Sequence, residues 1–92
     1  MKFPPGKLVV TRGVFELLDR NEEFAKHVSL SLRRHLSGDW GDLCDEDRVA
    51  NELALLEGER LFSVYQKEGL PKIWIITERD RSVTTILFPD EY

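Results

Sequence analysis

Three short runs close the chain, RLFSVYQ at 60–66, KIWIIT at 72–77 and VTTILF at 83–88, each rich in β-branched and aromatic residues. Only turn-type segments separate them, which is the pattern of a β-meander. Upstream of residue 60 the apolar period changes from two to about 3.6, so helices precede the sheet. In the middle run Ile73 and Ile75 fall on one face, Trp74 and Ile76 on the other. A strand apolar on both sides belongs in a sheet interior. If helices cover one of these faces, the other needs a second cover, and the tail Phe88-Pro89-Asp90-Glu91-Tyr92, a partner chain or a functional groove can supply it.

Residues 7–11 read as a first short strand, and Thr11 is placed to cap a helix through Val14, Phe15, Leu17 and Leu18. Asn21 is the N-cap expected for a second helix, with Glu22 and Glu23 in its dipole-favoured first turn and Gly38 as its stop. The apolar arc of that helix is Phe24, Ala25, Val28, Leu32 and Leu36, with Lys26, Arg33 and Arg34 opposite. A third helix starts at Asp42 or Asp45, ends at Gly58 and is expected to turn Val49, Ala50, Leu53 and Leu56 inward. The expected architecture is one α+β domain over residues 1–92. Its order is β-α-α-α-β-β-β, with N-terminal helices packed on an antiparallel meander of three or four strands.

The 92 residues carry 17 acidic and 13 basic side chains, a net charge of −4. That balance argues against non-specific attachment to nucleic acid. The opening Met1-Lys2-Phe3-Pro4-Pro5-Gly6 breaks where a signal peptide needs an apolar core, and no run reaches membrane-spanning length. A cytoplasmic location is expected, and the single Cys44 agrees with a reducing compartment.

Three groups of residues hold atoms that can do chemistry. His35, Asp39, Asp42, Cys44, Glu46 and Asp47 are zinc-ligand types, but their spacing matches no known ligand set, so no metal is assigned. His35 falls inside the apolar arc and is expected to be structural, bonded to a loop carbonyl or to Asp39. Trp40, between Gly38 and Gly41, is expected as a plug between helices and sheet with its indole N–H on backbone; exposed, it is an interface anchor.

The second group is Glu78, Arg79, Asp80, Arg81 and Ser82 with Thr84 and Thr85, a polar hairpin between apolar strands. As a simple turn, Asp80 bonds backbone and Arg81 pairs with a carboxylate. As a phosphodiester-cleaving site, Glu78 or His35 is the base, Arg79 or Arg81 holds phosphate, and Thr84 or Thr85 orients it. The third group, Asp42, Asp45, Glu46, Asp47, Glu52, Glu57 and Glu59, reads as a solvated acidic face.

Arg34, His35, Gly38, Asp39, Trp40 and Gly41, then Glu46, Asp47 and Asn51, then residues 74–92 almost throughout, compose a pattern R-H-x-x-G-D-W-G, E-D-x-x-x-N and W-I-I-T-E-x-D-R-S-x-T-T-x-L-x-P-x-E-Y. In these motifs the chain resembles a group of small bacterial proteins of plasmids, prophages and integrative elements. It departs at Arg12, where that group often opens the first helix with proline, a change that touches capping only. The resemblance implies a bacterial or phage origin and a mobile-element setting, and it implies no activity.

The expected function is accordingly a non-enzymatic protein-binding adaptor or inhibitor, without cofactor, contacting its partner through the sheet face or through Trp40, Arg79, Asp80, Arg81 and Ser82. A small ribonuclease of the RelE or barnase kind is the alternative. It needs Lys26, Arg33, Arg34, Lys72, Arg79 and Arg81 gathered on one face. A DNA-binding regulator ranks last, because only the Arg33-Arg34 edge offers a basic helix.

Overall fold

The computed structural model describes all 92 residues. Strand β1 (Lys7–Val10) leads into helices α1 (Arg12–Arg20), α2 (Glu22–Leu36) and α3 (Asp45–Glu57), followed by β2 (Leu61–Tyr65), β3 (Ile73–Thr77) and β4 (Val83–Leu87). A single 3-10 turn, Pro89–Glu91, ends the chain. The fold is α+β in the expected element order. The sheet order is β1-β4-β3-β2, so β3 is interior, as its two-sided apolar pattern requires.

One departure from the expected meander is the direction of β1. Strands β2, β3 and β4 pair antiparallel, but β1 lies parallel to β4, making the sheet mixed. The helices intervene between β1 and the meander, and parallel neighbours need such a long connection.

Helices α1 and α2 cover the sheet face bearing Ile73, Ile75, Ile86 and Tyr65, and Val14, Phe24 and Val28 complete that core. Asn21 caps α2 as expected, its side chain accepting the Phe24 N–H at 3.0 Å. The buried stripe of α2 is Phe24, His27, Val28, Ser31 and His35. It is rotated by about 60° from the purely apolar arc; Ala25, Leu32 and Leu36 flank it half-buried. Thr11 precedes α1 but makes no capping bond. Its hydroxyl donates to Glu91 at 2.5 Å, and the same carboxylate accepts the Gly13 N–H at 2.9 Å, so an anion from the far end of the chain caps the helix.

The expectation for α3 is reversed. Val49, Leu53 and Leu56 are 67%, 54% and 83% exposed, and Ala50 is exposed too. The helix instead turns Asn51, Ala54 and Leu55 inward. Polar bonds set this rotation. Asn51 Nδ2 donates to the Phe62 carbonyl at 2.5 Å and its Oδ1 accepts the Phe62 N–H at 3.2 Å, while Arg48 donates to the carbonyls of Leu43 and Gly41. The Asn51 bonds pair the Phe62 backbone groups on the β2 edge, and the same rotation leaves three aliphatic side chains facing out.

Candidate functional site

His35 is fully buried at the end of α2, where it meets β2 and β3. Its Nδ1 contacts Ser63 Oγ, its Nε2 lies 2.9 Å from Thr77 Oγ1, Thr77 is 2.7 Å from Thr84 Oγ1, and Thr84 donates to the Pro5 carbonyl at 2.7 Å. The carbonyl end fixes every proton. Thr84 has given its only hydrogen to Pro5, so Thr77 donates to Thr84 and accepts from His35 Nε2–H. Nδ1 then accepts from Ser63. Burial, reinforced by the Arg81 charge, pushes the His35 pKa down to about 4, so the ring is neutral near pH 7. The expected partners, a loop carbonyl or Asp39, are replaced by hydroxyls from two strands. His27 lies buried on the same helix with Nε2 unpartnered, and burial followed by the Lys67 charge lowers its pKa.

Residues 39–51 form a clamp along the outer edge of β2. Asp42 N–H donates to the Val64 carbonyl at 2.7 Å, Val64 N–H reaches the Trp40 carbonyl at 3.3 Å, and Gln66 N–H reaches Asp42 Oδ2 at 2.8 Å. Gly41 has φ +75, and a Cβ there would stand 2.0 Å from the Val64 carbonyl oxygen, so only glycine permits this approach. Asp39 pairs with Arg34 at 2.8 Å, and that guanidinium holds its carboxyl below the usual range. Trp40 is 2% exposed, packed with Phe3, Leu43 and Leu61, and is therefore a core plug with no surface to offer as an anchor. Its indole N–H donates to Glu52 at 2.8 Å, where backbone was expected.

At the β3–β4 hairpin, Asp80 Oδ1 accepts the Ser82 N–H at 3.0 Å and the Ser82 hydroxyl at 2.5 Å, bonds that lower the Asp80 pKa. Arg81 does not pair with a carboxylate. Its Nη1 donates to the carbonyls of Glu59 at 2.7 Å and Glu78 at 3.1 Å, tying the tip to the α3–β2 connection. Arg79 pairs with Glu59 and Glu78 with Arg60, all substantially exposed. Thr84 faces the helices beside Thr77; Thr85 pairs with Ile76 and so lies on the opposite sheet face. The residues proposed for phosphodiester cleavage therefore do not converge: His35 and Thr84 are inside, Glu78 and Arg79 outside, Thr85 across the sheet. Nor do three His, Cys, Asp or Glu side chains stand together as a metal would require.

The sheet face away from α1 and α2 holds a hollow of about 260 Å³ lined by Arg60, Phe62, Trp74, Ile76 and Tyr92. Phe62 meets Trp74 edge-on with centroids 5.1 Å apart, and Tyr92 meets Trp74 at 5.7 Å. Arg60 lies 5.5 Å over the Tyr92 ring and donates to its hydroxyl at 2.9 Å. No protein-family model matches the chain, and neither a curated protein nor a solved structure does.

The returning tail thus covers Trp74 only in part, leaving an aromatic recess where the sequence called for a second cover. Trp74 and Ile76 are recognisable from strand alternation. Arg60 and Phe62 are not singled out by the sequence reading, although Phe62 follows the same period-two rule. The recess is apolar on four of its five sides, with one guanidinium at the rim, which suits an apolar or aromatic side chain and offers no general base or nucleophile. A second, more open depression of about 360 Å³ at the hairpin tip is lined by Glu78, Arg79, Asp80 and Ser82, with no hydrophobic residue among them.

Proposed function

We propose that this domain is a non-enzymatic protein-binding adaptor or inhibitor that seats an apolar side chain of its partner in the Phe62–Trp74–Tyr92 recess. The observation that carries this reading is the recess itself, since partly exposed aromatic rings with an adjacent arginine are the composition of binding hot spots. The ribonuclease alternative is weakened by geometry: Arg34, Arg79 and Lys26 each pair with a carboxylate, and Arg81 is committed to carbonyls. The motif resemblance supplies a setting, a bacterial mobile element, in which the partner is a host or element-encoded protein. No helix is long and apolar enough to cross a membrane.

The test is site-specific photocrosslinking in the native host. A photoreactive phenylalanine at position 92 should give one discrete adduct that disappears in a Phe62→Ala variant of unchanged fold. A discrete adduct from position 79 or 82 with none from 92 would move the interface to the hairpin. Cleavage of RNA by the purified wild type, abolished by Arg79→Ala, would replace the binding reading with the enzymatic one.

A further inference from the structure

We infer that the outward face of α3 is a second docking surface, suited to a cationic amphipathic helix of a partner protein. Val49, Leu53 and Leu56 are separated by four and three residues and fall within an arc of about 60°. All three are more than half exposed. An amphipathic stripe of this spacing is what a helix normally spends on its own core, yet the Asn51 bonds to Phe62 turn it outward.

The charges beside the stripe choose the occupant. Asp45 and Glu52 lie about 20–40° beyond one side of the stripe, and Glu46 and Glu57 the same distance beyond the other. All four residues are exposed. The only cation in α3 is Arg48, whose guanidinium is bonded to the Leu43 and Gly41 carbonyls. A second copy of the chain would bring acid against acid along both rims, so self-association through this face is disfavoured. An anionic surface is refused for the same reason. A helix with an apolar face flanked by Lys or Arg places cations against both acidic rims while covering all three aliphatic side chains. This surface is separate from the recess, and its failure would leave that reading standing.

The experiment uses the full chain and three synthetic helices read by fluorescence anisotropy. One peptide has Leu at i, i+3, i+4 and i+7 with Lys elsewhere, one has Glu in place of Lys, and one is a scramble of the first. The Lys/Leu helix should bind in the micromolar range, and more weakly at roughly 0.3 M than at 0.05 M salt as screening tightens. Val49→Ser with Leu53→Ser should weaken binding about tenfold or more. Glu46→Gln with Glu57→Gln should flatten the salt dependence, and both variants should unfold at the wild-type urea midpoint. Equal binding of the scramble, binding of the Glu/Leu helix, or an unaffected Val49/Leu53 variant would each overturn the inference. Sedimentation showing a dimer that Leu53→Ser dissolves would give the face to a second copy instead.

Discussion

Asn51 stands to Phe62 as a neighbouring strand would, its side-chain amide both donating to and accepting from the Phe62 backbone. With the Asp42 and Trp40 bonds to Val64, it closes an edge that would otherwise be open to pairing with another chain. Asn51→Ala should cost about 2–3 kcal/mol in urea unfolding, because two part-buried backbone groups lose their partners. Amide exchange at Phe62 is the sharper measurement. Protection there equal to wild type in the variant would contradict the edge-closing role.

The neutral His35 makes stability depend on pH in a definite direction. Its folded pKa of about 4 lies below the ordinary value of 6.5, so the unfolded chain takes up a proton first. Its contribution is complete above about pH 6.5 and is lost as pH falls toward 4, by roughly 3 kcal/mol in total. The lowered His27 pKa acts in the same direction. Nitrogen NMR of the imidazole should show the Nε2–H tautomer persisting at pH 5. A ring that titrates near 6.5 would mean the hydroxyl chain is open to water.

Trp40→Ala should destabilise by about 3–5 kcal/mol through the cavity left among Phe3, Leu43 and Leu61. Glu52→Gln keeps an oxygen for the indole N–H and should cost under about 1 kcal/mol. Urea midpoints of the two variants separate packing from hydrogen bonding. Equal losses would show that the Glu52 bond, rather than the packed ring, holds the segment.

The two hairpin arginines should behave differently. Arg79→Ala removes one exposed ion pair and should change stability by less than about 0.5 kcal/mol. Arg81→Ala removes the bonds to the Glu59 and Glu78 carbonyls and should cost about 1–2 kcal/mol. An Arg79/Arg81 double substitution is therefore not the neutral change that an exposed tip would suggest. Thermal unfolding of the single variants checks this, and an Arg81→Ala midpoint matching wild type would return the tip to a simple turn.

Apolar periodicity determined the order of the elements and the interior position of β3, and local residue identity determined the cap at Asn21, because these depend on residues within a turn or a strand of one another. The burial of Trp40 was legible for a similar reason, a large ring held between two glycines. Tertiary structure decided the rest. Whether β1 runs with or against β4 depends on where three helices return the chain. The oxygen that accepts the Trp40 indole comes from 12 residues away, and the carboxylate beside Thr11 from 80. The rotation of α3 is the largest such effect: its wheel points Val49, Leu53 and Leu56 inward, and the unpaired edge of β2 turns them out. A polar group left without a partner is costly at any sequence distance, and local periodicity carries no information about which distant group will satisfy it.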